Sequence, residues 1–294
     1  MVARPFVKWA GGKSQILGEI RTKYPDGLGQ TITKYAEPFV GGGAVLFDVL
    51  NRYDLKEVYI NDINSELITT YKTIRDELES LTSLLSQMQA DYWQADTDNR
   101  KVYYYDRRER FNALKLTESG DVELAALFVF LNRTCFNGLY RVNSKGGFNV
   151  PMGSYKKPTI CDIENLRAVS AQLKRAEIVC GDYKQSRDFI DMFTFAYFDP
   201  PYRPLSDTAN FTSYAQDGFG DDDQVELAQF IDEVSDKGAA IVVSNSDPKN
   251  TNESDDFFDE LYCKHVISRI SANRMINSAG NGRGKVNELL IATF

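Results

Sequence analysis

Residues 34–62 read KYAEPFVGGGAVLFDVLNRYDLKEVYIND, and the order of residue types in this stretch sets the fold class. Lys34 to Phe39 is a short apolar-leaning run that enters three glycines, Gly41, Gly42 and Gly43. Ala44 to Asn51 reads as a helix and Glu57 to Asn61 as a strand, closed by Asp62. Strand, turn, helix and strand in that order build an open α/β sheet. Glycines let a backbone turn sharply and approach a ligand closely. Asp62 closes the next strand, where an acid can accept hydrogen bonds from ribose hydroxyls. The pair fits an adenosine-containing cofactor. It fits a nicotinamide dinucleotide poorly, because the third glycine of GxGxxG would fall at Leu46. A glycine loop standing alone fits a tight structural turn equally well. AGGKS at 10–14 is not a phosphate loop, since that motif needs a glycine at Val7.

Further along, the alternation pauses and then returns. A helix is expected from about Ser65 to Met88, on the spacing of Leu67, Ile68, Tyr71, Ile74, Leu78, Leu81, Leu84 and Leu85. Val102 to Leu116 and Val122 to Asn132 read as helices with no strand between them. Residues 135–158 (CFNGLYRVNSKGGFNVPMGSYKKP) are rich in Gly and Asn and read as a hairpin and loop turning at NSKGG. Glu177 to Val179, Phe195 to Phe198 and Ala239 to Ser244 read as strands, and Asp222 to Val234 as a helix. Lys264 to Ile267 and Glu288 to Thr293 are candidate final strands. Residues 247–256 (DPKNTNESDD) read as an exposed, mobile loop. The expected organisation is one α/β domain, 1–70 with 176–294, interrupted by a mainly helical insert at 71–175.

Composition bounds the function. The 294 residues are 43% apolar and 26% charged, which is ordinary globular usage. The longest purely apolar run, Leu124 to Leu131, is too short to span a bilayer. The N-terminal MVARPFVKWAGGK has no apolar core of the secretory type, so no membrane role is expected. Four scattered cysteines without a CxxC pair predict reduced thiols and a cytoplasmic chain. With one histidine, His265, a histidine-based zinc site or a Ser-His-Asp triad is disfavoured.

A net charge of −8 argues against nucleic acid until its distribution is read. Residues 100–175 carry 14 Lys/Arg against 7 Asp/Glu, while residues 186–261 carry 4 against 18. A polyanion responds to the local field, which favours the insert as its contact. A basic stretch is also an ordinary solvated face.

The second chemical signal is FAYFDPPY, residues 195–202. It places Asp199, Pro200, Pro201 and Tyr202 at the C-terminal end of an apparent buried strand, where open α/β sheets put ligands. Two prolines hold the chain in a fixed extended turn. Such a turn can aim the Asp199 carboxylate and the Pro200 carbonyl at one point, with Tyr202 as a flat wall. Those groups suit a planar ring bearing an exocyclic amine.

At these residues a resemblance becomes specific. [DNS]PP[YFW] after a strand is the signature of amino-methyltransferases. FVKWAGGK (6–13), EPFVGGG (37–43), NDIN (61–64), the 131–158 segment and DPPYRPLSDTANFTSY (199–214) together resemble the DNA adenine methylase family. The likeness runs from Phe6 to about Leu290 in the alpha order of cofactor loop, recognition insert and Asp-Pro-Pro-Tyr. It implies a Rossmann-like S-adenosylmethionine-dependent methyltransferase sheet, with an inserted DNA-recognition domain (71–175) that is mainly helical and carries a β-hairpin.

The resemblance implies the following roles. S-adenosyl-L-methionine, leaving as S-adenosyl-L-homocysteine, is held by Trp9, Lys13, Phe39, Gly41, Gly43, Asp62 and Asp199. No metal is needed. Asp199, Pro200, Pro201 and Tyr202 carry methyl transfer to the 6-amino group of adenine, flipped out of double-stranded DNA. Phe136 matches an aromatic that inserts into the duplex, and Asn137 assists at the orphaned base. The family reads GATC, with Arg141 and Lys8 matching guanine readers and Leu139 and Pro151 apolar base contacts. Arg107 and Lys156 are candidate phosphate contacts, with Arg100, Lys101, Arg108, Arg110, Lys145 and Lys157. The expected setting is a bacterial or phage-encoded cytoplasmic enzyme, monomeric in solution. It acts alone in regulation or repair, or opposite a companion restriction endonuclease. Cytosine, RNA or a protein glutamine as the target, and a non-catalytic DNA-binding relative, remain competing readings.

Overall fold

The computed structural model describes residues 2–117, 121–203, 219–273 and 285–294. Seven strands form one sheet: β1 (Lys34–Glu37), β2 (Glu57–Asp62), β3 (Ala176–Cys180), β4 (Thr194–Phe198), β5 (Ala240–Ser246), β6 (Val266–Asn273) and β7 (Lys285–Ala292), in the order β3-β2-β1-β4-β5-β7-β6. β1 pairs in parallel with β2 (Lys34 opposite Glu57) and with β4 (Lys34 opposite Thr194), and β4 pairs in parallel with β5. β7 runs antiparallel between β5 and β6. This is the Rossmann-like methyltransferase sheet that the motifs imply. Strand order reverses between β1 and β4, so their C-terminal ends flank the point where such sheets bind ligands.

The helices are α1 (Leu17–Arg21), α2 (Ala44–Arg52), α3 (Ser65–Asp76), α4 (Leu78–Gln94), α5 (Thr97–Lys115), α6 (Asp121–Thr134), α7 (Ile163–Leu173), α8 (Asp221–Ser235) and α9 (Phe257–Leu261). Among the described residues, no helix is long and apolar enough to cross a membrane.

The chain divides into two compact units. The first comprises Met1–Gly12, Val40–Arg52 and Asn61–Asp182; the second comprises Lys13–Phe39, Tyr53–Ile60 and Tyr183–Phe294. In the first, α6 is buried almost all round, from Leu124 to Leu131, and α3, α4 and α5 pack on it. A helix apolar on every side belongs at the centre of a bundle. In the second, β4 and β5 are buried along their whole lengths, as strands of a parallel sheet covered on both faces should be.

Three local expectations are corrected. The helix expected from Ser65 to Met88 is two helices, broken at Glu77 (φ −125°, ψ 35°). A straight helix of that length runs about 36 Å. The break lets the apolar faces of both α3 and α4 rest on α6.

The 135–158 segment has no regular strand. It holds two isolated antiparallel bridges, Cys135 with Met152 and Val142 with Phe148. A 3₁₀ turn at Phe136–Gly138, with Asn137 at φ 55°, interrupts any ladder at its base.

Residues 247–256 are exposed from Asn250 to Ser254, as expected, but the loop is tied down at its start. Asp247 is fully buried and accepts hydrogen bonds from the Lys249 N–H and from Arg269 Nε. Asn250 bonds both the N–H and the carbonyl of Asn287 on β7. Polar side chains that suit solvent can instead satisfy backbone.

Candidate active site

β4 delivers Asp199 from a run of buried side chains, and Asp199 itself keeps 21% of its side chain exposed. Its Oδ1 pairs with Lys13 Nζ at 2.8 Å and accepts the Ser244 hydroxyl at 2.9 Å. Ser244 in turn accepts the Tyr197 hydroxyl at 3.0 Å. Lys13, expected at the cofactor, is thus the near-buried counter-ion of Asp199, and its ammonium lies 4.6 Å from the Tyr202 ring centre. The Tyr202 hydroxyl donates to Glu288 Oε2 at 2.7 Å. Burial, and then the carboxylates of Asp199 and Glu288, hold that phenol protonated, well above its ordinary range.

The turn is gripped from behind. Gln224 on α8 donates to the Pro201 carbonyl at 3.1 Å and accepts from Asn245 at 3.0 Å. Two acceptors then stand without a protein donor among the described residues: Asp199 Oδ2 and the Pro200 carbonyl. An exocyclic amine has two N–H groups to place. Arg203 closes the turn through Asp221 (2.6 and 2.9 Å) and Asp255 (2.7 Å). The rest of the matched motif, 204–214, lies outside the described residues.

The glycine loop is built from within the first unit. Gly41 N–H donates to Asp62 Oδ2 at 3.0 Å, and Asn64 N–H donates to Oδ1 at 2.9 Å. Burial raises the Asp62 carboxyl above its usual range, while the backbone donors at Asn64, Gly41 and Ile63 oppose that shift. Each Asp62 oxygen retains acceptor capacity for a hydroxyl. Tyr71 hydroxyl donates to the Gly41 carbonyl at 3.0 Å. Gly41 sits at φ +46°, and a Cβ there would lie 2.8 Å from the Trp9 indole. Gly43 sits at φ +71°, where a Cβ would lie 2.6 Å from the Tyr71 hydroxyl. Trp9 therefore backs the loop. Phe39, which leads into it, packs on Tyr183, Phe198 and Phe219 in the second unit.

Gly41→Ala is accordingly expected to destabilise the protein by about 1–3 kcal/mol through strain and overpacking, and to weaken cofactor binding. Gly42→Ala, whose Cβ would lie 3.0 Å from the Trp9 Cβ without a positive φ, should do less. Denaturant midpoints and cofactor calorimetry on the two variants check the order.

Residues expected at DNA fall on the 135–158 segment and around it. Phe136 is 52% exposed, and Asn137 and Arg141 are exposed. Phe136 N–H bonds the carbonyl of Pro151, itself exposed, at 2.9 Å, which brings those two together, and Leu139 is half-buried nearby in sequence. Lys8 donates from its backbone to Asn132 and from Nζ to the Tyr155 hydroxyl at 3.0 Å. Its side chain passes so close to Gly138 that a Cβ there would collide with it at 2.4 Å. Lys8 therefore stands at the foot of the segment. Lys156 is exposed. Arg107 is half-buried over the Tyr103 ring at 4.6 Å. Two other candidates are already engaged: Arg100 bonds the carbonyls of Tyr92 and Trp93, and Arg110 pairs bidentately with Glu123.

Sequence reasoning missed Ser244, Glu288 and Gln224. Ser244 and Glu288 had a signal: each is the polar residue that borders the apolar run of its strand, after AIVV in AIVVSNS and before LLIA in KVNELLIA. Gln224 had none.

Over residues 9–276 the chain matches the family described as D12 class N6 adenine-specific DNA methyltransferase. It is 45% identical to the Type II methyltransferase M.MjaIII of Methanocaldococcus jannaschii over the full length of both chains. It is 38% identical to the Type II methyltransferase M1.LlaDCHI of Lactococcus lactis subsp. cremoris, over 99% of this chain and 95% of that one. It is 37% identical to the DNA adenine methylase of Vibrio cholerae serotype O1, over 98% and 95%. With the glycine loop, Asp62 and the Asp-Pro-Pro-Tyr turn inside the matched span, the chain belongs to the D12 class N6 adenine-specific DNA methyltransferases.

Proposed function

We propose that the protein transfers the methyl group of S-adenosyl-L-methionine to the 6-amino nitrogen of adenine in GATC, with the base flipped out of duplex DNA. The observation that carries this reading is the pair of open acceptors, Asp199 Oδ2 and the Pro200 carbonyl, beside the Tyr202 ring. The residues of the glycine loop fit the cofactor: Gly41 and Gly43 hold a left-handed backbone packed on Trp9 and Tyr71, and Asp62 offers both oxygens to ribose hydroxyls. When bound, the cofactor supplies an electrophilic methyl group on a sulfonium.

The target nitrogen is a weak nucleophile because its lone pair is delocalised into the ring. Asp199 and the Pro200 carbonyl accept its two protons in hydrogen bonds and draw it toward a tetrahedral geometry, which frees the lone pair. The positive charge that then builds on nitrogen faces the Asp199 carboxylate. Ser244 and Lys13 fix one oxygen of that carboxylate so that the other is presented. Tyr202 offers a face on which the extruded base stacks, and Glu288 sets the angle of that face.

The target sequence is read by the 135–158 segment. Arg141→Ala is expected to lower discrimination at one guanine by about 1–3 kcal/mol, measured as the ratio of cognate to near-cognate methylation rates. An unchanged ratio would remove Arg141 from readout. Two relatives carry Type II names, which supports a place opposite a companion restriction endonuclease. The reading as a whole is tested by mapping modified bases in DNA from a methylation-free host that expresses the chain. Adenine methylation at GATC on both strands is the expected map; a map dominated by GATATC sites would overturn the GATC assignment.

A further inference from the structure

Helix α5 serves one arm of the recognition segment as a neighbouring strand would. Residues 146–150 turn a carbonyl toward α5 at every second residue. Lys115 Nζ donates to the Gly146 carbonyl at 2.9 Å, Asn112 Nδ2 to the Phe148 carbonyl at 3.1 Å, and the Tyr104 hydroxyl to the Val150 carbonyl at 2.9 Å. Asn112 Oδ1 also accepts the Phe148 N–H at 2.8 Å, so one side-chain amide makes both bonds of a strand pair. The lengths agree: residues 104 to 115 rise about 16 Å along a helix, and residues 146 to 150 span about 13 Å of extended chain.

Nothing in the helix itself calls for Asn112. Asn is a poor interior helix former. The Lys115 ammonium spends its other donors on the Tyr140 hydroxyl at 3.1 Å and on the buried carboxylate of Glu66. All three of its N–H groups are thereby used.

The opposite edge of the same arm holds Arg141. Asn149 N–H donates to the Arg141 carbonyl at 3.1 Å, and Arg141 Nε donates to Asn149 Oδ1 at 2.8 Å. Asn149 lies between Phe148 and Val150, two of the three residues gripped by α5. We infer that Asn112 and Lys115 are positioning residues for sequence discrimination: from behind the segment they fix the register in which Arg141 meets the DNA. This rests on the reading of the segment as the DNA reader.

The test uses the full-length enzyme and duplexes that differ by one base pair from the cognate site. Asn112→Ala, and Lys115→Met combined with Glu66→Gln so that no carboxylate is left unpaired, are compared with Arg141→Ala. The expected result is a fall of about tenfold in the ratio of cognate to near-cognate kcat/KM, of the size of one lost base contact. Affinity for non-specific DNA and its salt slope should stay as in the wild type. Lys115→Arg should recover most of the ratio. If Asn112→Ala fails to fold, Asn112→Asp keeps the bond from the Phe148 N–H and sets an acceptor against the Phe148 carbonyl; a lowered ratio is expected there too. An unchanged ratio in these variants, with Arg141→Ala showing its own loss, would overturn the inference alone. A parallel fall in specific and non-specific binding would reduce both residues to structural supports and overturn it as well. An unchanged ratio in Arg141→Ala would instead strike the DNA-reader assignment beneath it.

Discussion

Asp199→Asn is expected to lower single-turnover methylation by about 100- to 1000-fold, the usual loss for one preorganised group facing transition-state charge. The substitution keeps the shape of the side chain. It replaces the charged acceptor with an amide whose NH2 can face either Ser244 and Lys13 or the target amine. It also removes the counter-ion that Lys13 holds at 2.8 Å in a nearly buried position. Breaking a buried pair costs about 3 kcal/mol of stability, so some loss of folding free energy is expected with the loss of rate. Combining Asp199→Asn with Lys13→Met separates the two effects. The double variant should regain stability in denaturant unfolding and remain inactive. A double variant that regained methylation would mean that the carboxylate serves only to neutralise Lys13.

Tyr202→Ala is the second large effect. It removes the stacking face, worth about 1–3 kcal/mol for one base. Tyr202→Phe keeps the face and loses the hydrogen bond to Glu288, so it should retain much of the activity. The expected order is wild type, then Tyr202→Phe, with Tyr202→Ala and Asp199→Asn far below. Fluorescence of 2-aminopurine at the target position distinguishes the two defects. Tyr202→Ala should change the signal of the flipped base, whereas Asp199→Asn should flip the base and fail to methylate it. A folded Tyr202→Phe protein as inactive as Asp199→Asn would make the hydroxyl, rather than the ring, the functional part.

The cofactor loop and the Asp-Pro-Pro-Tyr turn were legible because each is a run of adjacent residues whose backbone constraints are local. Three glycines before a helix and two prolines after a strand declare their geometry in the residue types themselves. The α/β class was legible for the same reason, since the period of the apolar residues changes between strand and helix. The insertion of β7 between β5 and β6 was not, because no local pattern states which distant strand a strand will pair with. The break at Glu77 was hidden too: no Gly or Pro marks it, and it is imposed by what the two helices pack against.

Lys13 shows the limit for the site. The family resemblance over FVKWAGGK put it near the ligand, but its ion pair with Asp199 joins residues 186 positions apart. Asn112 is one polar residue on a highly charged helix, and only the path of the 146–150 arm gives it a task. Residues 247–256 misled because Asp and Asn read as solvent-seeking, whereas here they bond neighbouring backbone and Arg269.

The central claim is that the Asp199 carboxylate and the Pro200 carbonyl receive the amine of an adenine. The most direct measurement incubates the purified chain with S-adenosyl-L-methionine carrying a labelled methyl group and a short duplex containing one GATC site, then digests the DNA to nucleosides and identifies the labelled product. The expected label is in N6-methyl-2′-deoxyadenosine alone, one per strand, appearing about 100- to 1000-fold more slowly with Asp199→Asn. Label in 4-methylcytosine, or equal labelling by the Asp199→Asn protein, would contradict it.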